Sequence, residues 1–274
     1  MEIHQRDFVM EWWPAYLLVG AVAGFFAGLL GIGGGLIMVP AFVFIFSAQH
    51  FPPDRILHLA LGTTMAAIIF SSASSLRAHH AHGAVIWRVV KYIAPGIIVG
   101  TAAGSTLASS LSSRPLSIIF IAFIYYAATQ MLLNSTPKPS RQLPGLTGMF
   151  AAGSVIGAVS SLVAIGGGLL TIPFLAMCNV RLHHAIGTAA AVGFPIAVAG
   201  TAGYIVNGMM QSQPLPDYSL GYVYLPALGW VLLASILTAP LGARTTHSMQ
   251  AGMLSKVFVV LLYLLATKML IGLF

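Results

Sequence analysis

Gly31-Ile32-Gly33-Gly34-Gly35-Leu36-Ile37-Met38-Val39-Pro40 is matched later in the chain by Ala164-Ile165-Gly166-Gly167-Gly168-Leu169-Leu170-Thr171-Ile172-Pro173. Each copy interrupts a long apolar stretch with a glycine triplet and a trailing proline. Glycine and proline break helices, and a break inside a bilayer frees backbone N–H and C=O groups that lipid cannot satisfy. Such backbone survives only where protein or a polar cavity surrounds it. Two matching breaks in two halves of a chain point to a transporter binding site.

The surroundings of the triplets are those of a membrane protein. Charged residues make up 6 % of the 274 and apolar residues 58 %, against roughly 25 % charged in an ordinary soluble domain. No charge occurs between Glu11 and Asp54, Arg55 and Arg77, Lys91 and Arg114, or Arg114 and Lys138. The second half repeats this from Arg141 to Arg181, Arg181 to Asp217 and Asp217 to Arg244. Runs of about 20 such residues read as transmembrane helices. The expected fold is an all-α polytopic membrane protein.

The net charge of +7 does not indicate nucleic acid, because the bases are scattered at span ends rather than gathered on one face. They read as topology signals. The single cysteine, Cys178, excludes an intrachain disulfide and a cysteine metal site, and reads as a small buried apolar residue. The first thirteen residues carry Glu2, Arg6, Asp7 and Glu11, without the basic start of a cleavable signal peptide.

The repeat extends beyond the triplets. His58-Leu59-Ala60-Leu61-Gly62-Thr63 resembles His183-His184-Ala185-Ile186-Gly187-Thr188, and Ala128 to Leu133 aligns with Ala266 to Ile271, which sets Gly104 opposite Gly242. The chain therefore divides into a first repeat at 1–134, a polar cytoplasmic linker at 135–144 and a second repeat at 145–274. Each repeat is a glycine-broken segment followed by three transmembrane helices, at roughly 56–78, 84–110 and 115–133, then 183–207, 221–247 and 252–273. The first broken segment, Pro14 to Ala48, would be ~52 Å long as one helix, beyond the ~30 Å hydrocarbon core. It must fold back as a re-entrant pair of arms or make two short spans. Loop charges set the orientation. Arg77, Arg88 and Lys91 place one connection in the cytoplasm, whereas its counterpart carries only Asp217. The charges agree throughout only if the two repeats are inverted.

A helix starting just after Gly35 or Gly168 points free N–H groups and partial positive charge at whatever sits beside the triplet. The expected substrate-binding residues are Gly33, Gly34, Gly35, Gly166, Gly167 and Gly168, with the hydroxyls of Thr63, Thr64 and Thr188. Close helix packing is the alternative use of such glycines, and back-bonding to a carbonyl the alternative use of such threonines. His58 and His183 hold equivalent positions at span entrances and read as gating or proton-handling groups. Ser71, Ser72, Ser74 and Ser75 read as helix-packing material. His79, His80 and His82 have no carboxylate beside them in sequence and read as an interfacial loop, so no metal ligand and no cofactor are expected. All five acids, Glu2, Asp7, Glu11, Asp54 and Asp217, lie in tails or connections. No carboxylate relay is available, and with helix N-termini offered instead, the substrate should be an anion.

These residues resemble the sulfite exporter TauE/SafE family of membrane permeases. The resemblance is carried by Gly31 to Pro40, Leu61-Gly62-Thr63-Thr64, Gly83-Ala84-Val85-Ile86-Trp87-Arg88, and the copies at Gly166 to Pro173 and Gly187-Thr188. It implies transport of small sulfur-containing anions, such as sulfite, sulfoacetate or taurine-derived organosulfonates, across a bacterial inner membrane. An acidic residue common near the Gly83–Arg88 motif is replaced here by Val85-Ile86, and the second half carries no clear copy of that motif. The expectation is a secondary transporter working by alternating access, without enzymatic activity. Its partners would be the anion, the lipid bilayer and, in a homo-oligomer, further copies of the chain, and no nucleic acid. An anion channel on the same fold is the first rival, and a membrane haem or metal redox protein the second.

Overall fold

The computed structural model describes residues 11–30, 34–133, 140–211, 214–245 and 251–273. Gly31, Ile32 and Gly33, and residues 135–139 of the 135–144 linker, lie outside the described residues. The helices are α1 (Trp13–Leu30), α2 (Gly35–Ala48), α3 (Pro53–Ala81), α4 (Trp87–Ser110), α5 (Ser113–Leu133), α6 (Leu146–Leu162), α7 (Gly168–Met177), α8 (Leu182–Met209), α9 (Leu225–Thr245) and α10 (Ala251–Ile271). Six of these, α3, α4, α5, α8, α9 and α10, are long and apolar enough to cross a membrane. They match the six spans expected from the charge gaps to within a few residues. The molecule is a multi-pass membrane protein.

One element departs from an all-α chain. Residues 219–224 form a two-residue antiparallel hairpin, β1 (Ser219–Leu220) and β2 (Val223–Tyr224), in which Ser219 faces Tyr224 and Leu220 faces Val223. Gly221 opens its turn at φ +55°, the positive φ that two-residue hairpins demand. The helix expected from 221 therefore starts four residues later.

Each glycine-broken segment doubles back. At 1.5 Å per residue, the 18-residue α1 is ~27 Å long, the 14-residue α2 ~21 Å and the 10-residue α7 ~15 Å. Neither return arm is long enough to cross a ~30 Å core. The Tyr16 hydroxyl near the start of α1 donates to Gln49 Oε1 just past the end of α2, at 2.9 Å. The backbone N–H groups of Ser140 and Arg141, ahead of α6, both donate to Met177 O at the end of α7, at 3.0 Å. So the chain leaves each break at the end where it came in. The first hairpin opens where Asp54 and Asp217 lie, joined there by Ser113 Oγ donating to Asp54 O at 2.8 Å. The second opens among Arg141 and Arg181, beside the connection between α3 and α4 with Arg77, Arg88 and Lys91. The described acidic residues all sit at the first end.

Small residues let the helices close on one another, as they do in membranes where no hydrophobic force separates helix from lipid. Along α4, a Cβ on Gly96 would meet Phe150 O at 2.1 Å and one on Gly100 would meet Ser154 O at 1.9 Å. Gly153 and Gly157 return the approach from α6 onto Ile93 O and Ile97 O, both at 2.4 Å. The other half repeats the arrangement: Gly20 and Gly24 of α1 lie on Val231 and Ser235 of α9, and Gly242 lies on Phe25 O. The first arm of each half thus pairs, in parallel, with the second spanning helix of the other half. In contrast, α3 and α8 cross antiparallel, with Met65 against Gly200 and Ser72 against Gly193. The interior between them is fully buried: Leu59, Leu61, Met65, Val192 and Ile196 are all 0 % exposed.

Candidate anion site at the two glycine breaks

The two breaks touch. A Cβ on Gly35 would land 2.2 Å from Ala164 O and 3.2 Å from Ile68 Cδ1, and one on Gly166 would land 3.2 Å from Ile68 Cγ2. Gly167 faces Ile196 and Val192 of α8, and Gly193 lies 3.7 Å from Gly167 N and from Ser72 Cβ by the same measure. Both breaks use a left-handed residue, Gly34 at φ +71° and Ala164 at φ +46°. Gly34 caps α2 and Gly167 caps α7, and neither cap makes a side-chain hydrogen bond. The first-turn N–H groups of both helices are therefore gathered at one junction, with the partial positive charge of two helix N-termini. Gly34, Gly35, Gly166, Gly167 and Gly168 lie together at this junction, and Gly33 lies outside the described residues.

Helix α3 carries the face that meets this junction. Thr64, Ile68 and Ser72 are four residues apart and so share one stripe of the helix. Thr64 is 0 % exposed and its Oγ1 has no hydrogen-bond partner, one turn from the residue that contacts both breaks. Ser72 bonds back to Ile69 O at 3.1 Å and Ser71 to Ile68 O, also at 3.1 Å, as packing residues do. Thr171 of α7 is also fully buried, with an unpartnered Oγ1 that lies 3.2 Å from where a Gly167 Cβ would sit. Sequence reading passed over Thr171, although its place inside the repeated motif, opposite Met38 of the first copy, was visible.

Thr63 and Thr188 are placed differently. Tyr224 N–H donates to Thr63 Oγ1 and Ile86 N–H donates to Thr188 Oγ1, each at 3.0 Å. Each threonine thus secures the chain just ahead of a spanning helix of the opposite half. Next to them, a Cβ on Gly62 would meet Tyr222 O at 2.3 Å, and one on Gly187 would meet Ala84 O at 2.7 Å. Gly83, at φ +65°, and Gly221, at φ +55°, each stand four residues ahead of the helix that follows. Gly221-Tyr222-Val223-Tyr224 is accordingly the second-half counterpart of Gly83-Ala84-Val85-Ile86. The two stretches share the positive-φ glycine and a valine, while Tyr222 and Tyr224 stand where the first has Ala84 and Ile86, and only the second is part of a hairpin.

The two histidines part company. His58 is 1 % exposed, and its Nε2 donates towards Ala108 O at 3.0 Å and Leu111 O at 3.1 Å, which ties down the C-terminus of α4. Its ring stacks on Tyr222 at 5.1 Å, and Arg55 donates to the Tyr222 hydroxyl at 2.9 Å. His183 is exposed and sits 5.4 Å from the His184 ring. Around the α3–α4 connection, Trp87 Nε1 donates to His80 Nδ1 at 3.2 Å, and His82 Nδ1 lies 2.7 Å from Ala78 O. Among the described residues, no three His, Cys, Asp or Glu side chains gather to hold a metal. Cys178 is buried as expected, at 5 % exposure.

A cavity of about 340 Å³ opens at the acidic end, between Gln49, Phe51 and Pro52 on one side and Pro216, Asp217 and Tyr224 on the other. Burial, with Asp217 and Tyr218 adding, pushes the Tyr224 phenol up to about 12. That group is neutral at any physiological pH and lines the cavity as a hydrogen-bonding wall.

Residues 16–269 match the family model described as sulfite exporter TauE/SafE. A probable membrane transporter protein of Haemophilus influenzae is 36 % identical over 256 residues, covering 92 % of this chain and 96 % of that one. The probable membrane transporter protein YdhB of Bacillus subtilis is 26 % identical, over 85 % of this chain and 90 % of its own. One from Methanocaldococcus jannaschii is 24 % identical, over 84 % and 85 %. No solved structure matches the chain.

Proposed function

We propose, for a chain that belongs to the sulfite exporter TauE/SafE family, a secondary transporter that binds a small sulfur-containing anion between its two glycine breaks. The observation that carries this reading is the contact of Gly35 with Ala164 O: two opposed helix N-termini converge on one point inside an apolar bundle. Such a point favours negative charge and offers lipid-shielded N–H donors to its oxygens. Thr64 supplies a buried hydroxyl one turn away. Thr63 and Thr188 offer at most their hydroxyl protons, since their oxygens already accept backbone N–H groups.

The halves 1–134 and 145–274 are read as inverted repeats. Hairpins opening at opposite ends and the antiparallel crossing of α3 with α8 support that reading. The basic end faces the cytoplasm of a bacterial inner membrane, by the positive-inside rule. Alternating access then parts the Gly35–Ala164 contact first towards one face and then towards the other. Sulfite or an organosulfonate is the leading substrate class.

Proteoliposomes test the proposal. Saturable uptake with counterflow of labelled sulfite or sulfonate is expected, whereas linear, unsaturated flux at high rate would convert the reading to a channel. Gly34→Leu and Gly167→Leu should each abolish the thermal shift produced by the anion. Gly34 sits at φ +71°, and Gly167 has Ile196 Cδ1 2.9 Å from its Cβ position. Retention of the shift by both variants would remove the site.

A further inference from the structure

We infer that the break junction takes a singly charged oxyanion and that Thr171 is a side-chain ligand to it, an inference that rests on the transport reading above.

A threonine inside a helix ordinarily returns its hydroxyl to a carbonyl one turn back. Thr201 does so onto Ala197 O at 2.7 Å, and Thr238 onto Ala234 O at 3.1 Å. Thr171 does not. It is 0 % exposed and its Oγ1 has no partner. Helical side chains lean towards the N-terminus of their helix. Its oxygen accordingly lies 3.2 Å from the Cβ position of Gly167, the capping residue at the break. A buried hydroxyl without a partner is costly, and one aimed into a helix N-terminus has a natural acceptor in an anion. Ser160 is a second such group: 0 % exposed, with an unpartnered Oγ, on the residue whose carbonyl accepts Ile165 N–H at 3.1 Å. The first repeat has Met38 and Ala27 at the corresponding places. The side-chain donors at the junction come mainly from the second break.

The charge of the ligand follows from what surrounds it. The buried polar side chains among the described residues are Gln, His, Ser and Thr, with no Lys, Arg, Asp or Glu. Two helix N-termini carry roughly +0.5 each, about one positive charge together. That balances one negative charge and leaves a second uncompensated. Desolvation cost grows as the square of the charge, so a dianion pays about four times as much to enter. Hydrogensulfite and singly charged sulfonates fit this balance; the sulfite dianion, sulfate and a sulfonate that also carries a carboxylate, such as sulfoacetate, do not.

The test uses the full chain in nanodiscs, with binding read by calorimetry. Methanesulfonate is singly charged at every working pH, sulfate doubly, and sulfite exchanges one charge for two near neutrality. The expected result is methanesulfonate affinity independent of pH. Sulfite affinity should fall about tenfold per pH unit once the dianion predominates, and sulfate should bind at least tenfold more weakly than methanesulfonate. Thr171→Val should weaken methanesulfonate on the order of tenfold, with Thr171→Ser restoring it and both variants melting near the wild type. Sulfate binding as tightly as methanesulfonate would overturn the charge assignment, and an unchanged Thr171→Val affinity would overturn the ligand. Absence of binding by all three anions would instead overturn the transport reading beneath them. The pH series on the wild-type chain decides the charge assignment even if Thr171→Val fails to fold.

Discussion

Tyr125 of α5 shares a hydrogen bond of 2.8 Å with Thr267 of α10. The bond recurs in reverse between Thr129 and Tyr263, at 2.7 Å. Tyr125 and Tyr263 stand 138 residues apart in the sequence, as do Thr129 and Thr267. As position rises along α5 it falls along α10, so these two helices run antiparallel. Phe120 and Phe258, Ile124 and Leu262, and Ala128 and Ala266 are likewise matched, each 0 % exposed. The Thr63–Tyr224 and Thr188–Ile86 bonds obey the same exchange of halves.

The antiparallel crossing of α3 and α8 yields a direct test of movement at the junction. A Cβ on Gly193 would sit 3.7 Å from Ser72 Cβ, inside the 3.5–4.5 Å range of disulfides. In a Cys178→Ser background, Ser72→Cys with Gly193→Cys should cross-link under mild oxidant. Anion flux in proteoliposomes should then stop and return on reduction. Flux that continues at full rate with the cross-link formed would show that α3 and α8 do not separate during transport.

The spans were legible because a bilayer forbids charge, so the gaps between Arg55 and Arg77 or Asp217 and Arg244 marked α3 and α9 directly. The breaks were legible because glycine and proline act locally. The pairing of α1 with α9 and of α4 with α6 was not. It depends on which small residues face one another across separations from Gly96–Phe150 to Phe25–Gly242, and spacing alone does not name the partner. Tyr222 hid its equivalence to Ala84 because the shared feature is a backbone angle at the preceding glycine. Thr63 and Thr188 are visible in the sequence at matching motif positions, but their hydrogen-bond partners, Tyr224 and Ile86, lie in the other half.

Glycine positions should divide sharply by what their Cβ would strike. Gly100→Ala places a methyl group 1.9 Å from Ser154 O, so α4 and α6 must part. Overpacking of this kind costs about 1–3 kcal/mol. Gly229 has nothing within 4 Å of its Cβ position, and alanine there gains helix propensity of roughly 0.5–1 kcal/mol. Thermal unfolding in detergent should show Gly100→Ala melting well below the wild type and Gly229→Ala at or above it. Equal melting points would contradict the close approach of α4 to α6.

Cys178 should behave as a buried thiol in solution chemistry. Burial pushes its pKa up and the neighbouring Arg141 charge pulls it partly back, for a net rise. A raised thiol pKa means less thiolate at neutral pH and therefore slower alkylation. Maleimide labelling at pH 7 should be slow, accelerate as pH rises beyond the ordinary thiol range, and become fast on denaturation at any of these pH values. Arg141→Gln removes the opposing charge and should slow the native reaction further. Faster labelling in that variant would mean that Arg141 shields the sulfur rather than acting through its charge.

The last expectation concerns the two threonines that secure opposite halves. Thr63→Val keeps the shape of the side chain but leaves Tyr224 N–H without its 3.0 Å acceptor, and Thr188→Val does the same to Ile86 N–H. A buried donor left unpaired costs about 1–3 kcal/mol. Both threonines are 0 % exposed, so water has no ready access to replace the lost oxygen. Each valine variant should lower the melting temperature by a similar amount, and the corresponding serine variants should recover most of it, since serine keeps the accepting oxygen. If the threonines served the anion alone, the valine variants would melt like the wild type and lose only ligand-induced stabilisation. Comparing melting curves with and without methanesulfonate therefore separates the two roles.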